Sequence, residues 1–125
     1  MTGFTKINLK EIEVGGTAEV EARFARKLLD SEHLGLSVFR YAPGYRSGTG
    51  HSHREQEELY VVVGGSGRMR LDEVVVELSP WDAVRVAPST VRAFEGGPDG
   101  LELLAIGSDR PEGGDGVRVE DWWAG

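Results

Sequence analysis

The chain has 125 residues, with 14 Lys and Arg set against 21 Asp and Glu, for a formal net charge of −7. That balance speaks against nucleic acid or an anionic membrane as a general partner, because both are bound through clustered positive charge. There is no cysteine, so disulfides, thiol nucleophiles and zinc-thiolate sites are excluded.

No apolar run approaches the roughly 20 residues of a membrane span, and Met1–Lys10 lacks the apolar core of a secretory signal. A cytoplasmic protein of one compact domain, residues 1–125, is therefore expected. The 18 glycines and 5 prolines fall mostly between apolar runs. Such punctuation favours many short strands over long helices.

Ile7, Leu9, Ile12 and Val14 lead into Gly15-Gly16 and predict a short strand and turn. In Thr17–Leu29, Val20, Phe24 and Leu28 fit both a helical stripe and one face of a strand, and the β-rich pattern that follows favours the strand. Leu34 to Tyr41 alternates and predicts a strand ending at Pro43-Gly44, followed by a loop over Tyr45–Gly50. Leu59–Val63 is a β-prone run stopped by Gly64-Gly65-Ser66-Gly67. Arg68–Leu71 and Val74–Leu78 flank Asp72-Glu73 as a hairpin. Ala83–Val86, Val91–Phe94 and, beyond a turn at Gly96–Gly100, Leu101–Ile106 supply further strands. About eight or nine short strands at this spacing mark a sandwich or barrel, which also solves the problem of exposed sheet edges. Ser108–Gly116, rich in glycine and acid, reads as a surface tail, and Val117–Trp123 as a segment that folds back to bury Trp122 and Trp123.

The stretch with most chemistry is His51-Ser52-His53-Arg54-Glu55-Gln56-Glu57-Glu58. On a strand, His51 and His53 project to one face with Cα atoms roughly 6.5 Å apart. Both rings can then lean onto one ion at about 2.0–2.1 Å per nitrogen. Two neutral imidazoles and one carboxylate form a facial set that leaves coordination positions open to water, oxygen or substrate.

Residues Pro43 to Gly65 resemble the first motif of the cupins, small double-stranded β-helix (jelly-roll) proteins. In that motif a glycine and a short loop precede His-x-His, a gap of three or four residues, Glu, six residues and Gly. Here four residues separate His53 from Glu58 and six separate Glu58 from Gly65, while Gly44 stands one residue farther from His51 than usual. The resemblance makes Glu58, rather than Glu57, the ligand carboxylate. The second cupin motif aligns with Trp81 to Gly96: Asp82, Pro88 and Phe94 fit, Trp81 replaces a glycine, Gly96 falls at an asparagine, and Arg92 falls where a fourth ligand, a histidine, belongs. The resemblance implies an all-β jelly-roll barrel, with a core at about residues 34–107 and a C-terminal tail over 108–125. It also implies a divalent metal on His51, His53 and Glu58, and a homodimer. The reaction is not implied, because cupins include oxygenases, decarboxylases, isomerases and non-enzymatic binders.

Arg92 divides the readings. A guanidinium neither deprotonates nor ligates a metal, and beside a divalent ion at ~6 Å its raw repulsion at an effective dielectric near 20 is about 5–6 kcal/mol. A strongly cationic site would then take a small anionic, carboxylate-type ligand, with Arg92 as its fork. Alternatively Arg92 pairs with Glu58 or Glu57, leaving a metal-free pocket that binds or senses a small or sugar-like ligand. If a metal is bound, iron, manganese, nickel or zinc all suit the ligands.

Tyr60 shares the Glu58 face of its strand, and Phe94 shares that of Arg92, so Arg92, Phe94 and Tyr60 are the candidate substrate contacts. Tyr60 and Arg92 are also the candidates for a catalytic role. Packing is the ordinary role for Tyr60 and Phe94, as for Met69 and Leu71. Arg46 and Arg85 read as solvated, His33 as a surface histidine, and Glu55 and Glu57 as solvent-facing.

Overall fold

The computed structural model describes residues 3–123. Nine strands form one curled, wholly antiparallel sheet. They are β1 (Gly15–Gly16), β2 (Val20–Phe24), β3 (Gly35–Tyr41), β4 (Gly50–His53), β5 (Glu58–Leu71), β6 (Val74–Leu78), β7 (Ala83–Val86), β8 (Arg92–Gly107) and β9 (Gly116–Val119). The chain is an all-β jelly-roll barrel, as expected. No helix among the described residues is long and apolar enough to cross a membrane.

The N-terminal expectations are partly corrected. Ile7–Val14 is not a strand: a 3-10 turn over Leu9–Glu11, capped by the Asn8 side chain, occupies it, and the strand begins at Gly15. In the ambiguous segment both patterns occur in turn. Val20–Phe24 pairs with β3 as β2, and Arg26–Leu29 then makes one helical turn, α1, stopped by Asp30 at φ 55°. Pairing decides the first half, and the second half is helical where no strand lies alongside it.

The larger correction concerns β5 and β8, which are single long strands where sequence punctuation predicts breaks. β8 carries β5 along one edge, and β3 and then β4 along the other. The glycines at 64–67 bend β5 without ending it, through register shifts between Val62 and Gly64 and between Gly65 and Gly67. Each bulge changes which residues face inward. Tyr60 and Val62 are buried before the bend and Met69 after it; on β8, Phe94 is buried before and Leu101 and Leu103 after. At the bend the strands touch so closely that a Cβ on Gly65 (φ +67°) would lie 2.1 Å from the Gly100 carbonyl oxygen.

These side chains, with Leu78 and Val86, form the core, against which Phe39, Tyr41, Leu71, Val76 and Val84 pack. The Asp72-Glu73 hairpin is as expected, with Asp72 left-handed at φ 48°. Curling brings together the two ends of one ladder. Glu58 is paired with Gly107 at one end and Arg92 with Leu71 at the other, yet Arg92 Nη2 lies 2.9 Å from Glu58 Oε1. The barrel interior at that point is where the candidate site lies.

After residue 107 the chain folds back as expected of Val117–Trp123, and the departure from the expected surface tail over Ser108–Gly116 is the burial of Asp115. β9 pairs with β4, Trp123 is buried, and Asp115 is among the most buried acids. The indole of Trp123 is covered by the Arg46 and Arg68 guanidinium groups at 4.9 and 5.8 Å. Both arginines are held by Glu95, so Arg46 is not a free surface cation. Arg85 is likewise paired, with Glu57 at 3.0 Å. His33 stays exposed beside Glu32 and Asp109.

Candidate metal centre

Strand alternation puts His51 and His53 on one face of β4, their ring centroids 5.2 Å apart and nearly perpendicular. Glu58, the first residue of β5, completes a group whose ligand atoms all lie within 4.8 Å of one another. From Glu58 Oε1 it is 3.2 Å to His53 Nε2 and 3.6 Å to His51 Nε2. His53 and Glu58 are largely enclosed, with 12% and 13% of their side chains exposed, whereas His51 is open at 44%. The three residues predicted as ligands thus converge inside the barrel.

His53 is fixed from behind. Its Nδ1 lies 2.9 Å from Asp115 Oδ1, and the other carboxylate oxygen of Asp115 accepts the backbone N–H groups of Glu55 and Gln56 at 2.7 and 2.8 Å. Burial alone would raise the Asp115 pKa, but those two N–H groups and His53 outweigh it and bring it down to about 2. An ionised carboxylate only accepts, so Nδ1 carries a proton, and in the neutral ring Nε2 presents its lone pair. That Nε2 is buried and has no hydrogen-bond partner. It faces a carboxylate oxygen across 3.2 Å, an arrangement that either a metal ion or a proton on Nε2 satisfies. A carboxylate–histidine–metal relay has this form, and the donor set suits a divalent transition metal.

Sequence reasoning missed Asp115. The only local sign of it is its position just before the β-prone run Val117-Arg118-Val119 and the two tryptophans, where a returning strand would dock.

Glu58 is surrounded by donors. Tyr60 donates its hydroxyl to Oε1, and Arg92 donates Nη2–H to the same oxygen. Burial again works to raise the carboxyl pKa, but the His51 and Tyr60 hydrogen bonds and the charge of Arg92 prevail and lower it to about 2, with His53 adding to this when its ring is protonated. Burial and the Glu58 charge together push the Tyr60 phenol well above its ordinary range.

Arg92 is completely buried. Besides Glu58, its Nε–H reaches the Tyr60 hydroxyl at 3.3 Å, and Nη1 donates to the Pro88 and Thr90 carbonyls at 3.3 and 2.7 Å. Of the five N–H groups of a guanidinium, a single one on Nη2 is left. The expected pairing of Arg92 with Glu58 is therefore present, and Glu57 goes to Arg85. Phe94 lies in the core with its ring against Tyr60 and Tyr41, at 5.0 and 5.4 Å.

Two cavities meet at His51. The larger, about 540 Å³, is bordered by His51, His53 and Glu58 at one side and by Phe24, Leu36 and Phe39 at another. The smaller, about 390 Å³, is bordered by Arg92 and Phe94.

The family model described as Cupin domain matches residues 37–107. Among solved structures, the chain superposes on a cupin protein from Bacteroides fragilis with a TM-score of 0.74 at 22% identity, covering 87% of this chain and 86% of that one. It superposes on Bacillus subtilis oxalate decarboxylase with a TM-score of 0.75 at 20% identity, covering 90% of this chain but only 32% of the decarboxylase. A sugar phosphate isomerase of the cupin superfamily from Silicibacter pomeroyi gives 0.71 at 19% identity, covering 86% of this chain and 77% of that one. At such identities these likenesses concern the fold. No curated protein matches the sequence.

Proposed function

Starting from the fact that the chain belongs to the cupin family, we propose that His51, His53 and Glu58 hold a divalent transition-metal ion and that the larger cavity takes a small anionic molecule. The observation that carries this is the buried, unpartnered Nε2 of His53, its other nitrogen fixed by Asp115 and its lone pair aimed at Glu58. Iron, manganese, nickel or zinc would each suit two imidazoles and a carboxylate. When bound, such an ion supplies a Lewis acid for an oxygen-bearing ligand.

The surrounding residues have separate tasks. Asp115 sets the tautomer and direction of His53. Tyr60 and Arg92 keep Glu58 ionised and pointed inward. Since the Tyr60 hydroxyl is already donated to Glu58, its catalytic candidacy is weak; its task is positioning. Arg92 acts mainly through Glu58, with one N–H left for a ligand. Phe94 supports Tyr60 from the core. His51, the open ligand, stands where an incoming molecule meets the site.

A second reading is favoured by the Arg92–Glu58 ion pair at 2.9 Å. There the guanidinium serves as the resident cation, His53 Nε2 takes up a proton, and the protein binds or senses a small or sugar-like ligand without metal or turnover.

Elemental analysis of protein purified without added metal separates the two. The metal reading expects about one equivalent of a transition metal, lost in His53→Ala. Metal-free protein that takes up none of Fe(II), Mn(II), Ni(II) or Zn(II) overturns it. The family resemblance also carries the proposal of a cytoplasmic homodimer, which light scattering tests against the 13.6 kDa of one chain.

A further inference from the structure

The larger cavity carries a charge pattern that the metal site does not explain. Besides the two imidazoles, its border holds three cations, Arg26, Lys27 and Arg110, against one carboxylate, Glu58. In a chain of net charge −7 this local excess runs against the whole. Among the described residues none of the three is ion-paired with a carboxylate.

Arg26 is also placed rather than free. Its guanidinium lies against Gly35 so closely that a Cβ there would come within 2.8 Å of Nη2. Nη2 donates to the Ser108 carbonyl at 3.4 Å, an oxygen that also accepts the Gln56 side-chain amide at 2.9 Å. A half-buried guanidinium tied only to a neutral carbonyl keeps most of its charge-assisted hydrogen bonding for a ligand. The same cavity is walled by Phe24, Leu36 and Phe39, which suit an apolar body.

We infer that Arg26, with Lys27 and Arg110, forms an anion-binding rim that selects small carboxylates with an apolar body, aromatic or branched-aliphatic, entering the larger cavity. The inference deepens the proposed function by naming its ligand class, and it moves the anion contact from Arg92 to Arg26. The carboxylate lies at the rim, the apolar body along the Phe24–Phe39 wall, and the remaining end of the molecule faces His51 and Glu58. Arg26 and Arg110 both lie outside residues 37–107, the stretch that the family model matches.

The test is calorimetric titration, in chloride buffer of low ionic strength, with phenylacetate and 4-methylpentanoate against phenylacetamide and 4-methylpentanamide. Wild-type protein is expected to prefer each acid over its amide by roughly tenfold or more. The variant R26Q/R110Q should lose that preference while its metal content and melting midpoint stay at the wild-type values. R110Q alone, altering an exposed side chain, should lose part of it, and this keeps the test informative if R26Q unsettles α1. Equal binding of acid and amide by wild type, or a preference that survives R26Q/R110Q, overturns the rim. A preference that survives R26Q/R110Q but vanishes in H53A returns the anion to the metal site. Failure of the metal reading shows separately, as absent metal in wild type that still discriminates acid from amide.

Discussion

The Asp115 carboxylate lies 2.9 Å from Nδ1 of His53, a residue 62 positions earlier in the chain. One side chain near the C-terminal end thereby orients a proposed ligand near the middle. It also ties down the turn that joins the two histidines to Glu58, through the N–H groups of Glu55 and Gln56. Removing it should act on metal and fold together. Asp115→Asn is expected to weaken metal affinity by about 10- to 100-fold, and Asp115→Ala to cost in addition on the order of 3 kcal/mol of stability by leaving buried donors unsatisfied. Competition titration with a chelator and urea denaturation read the two effects. Unchanged affinity in both variants would show that His53 needs no support from behind.

Acid should expose the same link. The Asp115 carboxyl titrates near 2 in the folded protein and at about 3.9 unfolded. A lowered folded value means that its stabilisation is complete above pH ~4 and fades as pH falls toward 2. Metal-free wild type should therefore lose stability steeply across that window, and Asp115→Asn should flatten part of the slope. Parallel slopes for the two proteins would contradict the assignment.

The buried pair of Arg92 and Glu58 makes an asymmetric prediction. Arg92→Met leaves an ionised carboxylate enclosed with one donor fewer and is expected to cost about 3–5 kcal/mol. Adding Glu58→Gln should cost less than the sum of the single changes, with a coupling of about 1–3 kcal/mol. Urea midpoints of the four metal-free proteins give the cycle, and additive values would mean that the pair is energetically idle.

Tyr60→Phe is milder. It deletes the hydroxyl donated to Glu58 and accepted from Arg92 Nε, so a loss of about 1–2 kcal/mol is expected. Denaturation midpoints give that figure, and metal stoichiometry should be unchanged. Loss of the metal with the fold intact would instead make the phenol part of the ion's own shell.

Gly65→Ala tests the strand crossing. Both its φ of +67° and the contact with Gly100 resist a side chain, so a loss of at least about 2 kcal/mol is expected. A thermal midpoint equal to wild type would show that the bend has slack.

Much of the site was legible because it is local. His51, His53 and Glu58 fall within eight residues, and strand alternation with the distance to Gly65 is enough to bring them together. The barrel was legible from alternation and turn spacing. What escaped was set by distant partners. Gly96-Gly97-Pro98-Asp99-Gly100 has every local mark of a turn, yet it runs on as strand because β5 lies beside the residues on both sides of it. Asp115 sits between glycines in a stretch whose composition reads as solvated, and its burial depends on backbone groups about 60 residues away. Arg92 borders the smaller cavity and reaches Glu58, but the carbonyls of Pro88 and Thr90 that occupy its guanidinium follow from loop shape alone.

Because β9 lies directly against β4, His53 acquires its Asp115 backing only once the segment around residue 115 has been made and has folded back onto the barrel. A nascent chain arrested before residue 115 carries both imidazoles and Glu58 but no Asp115. On the proposed reading, firm metal binding therefore follows the docking of β9 onto β4.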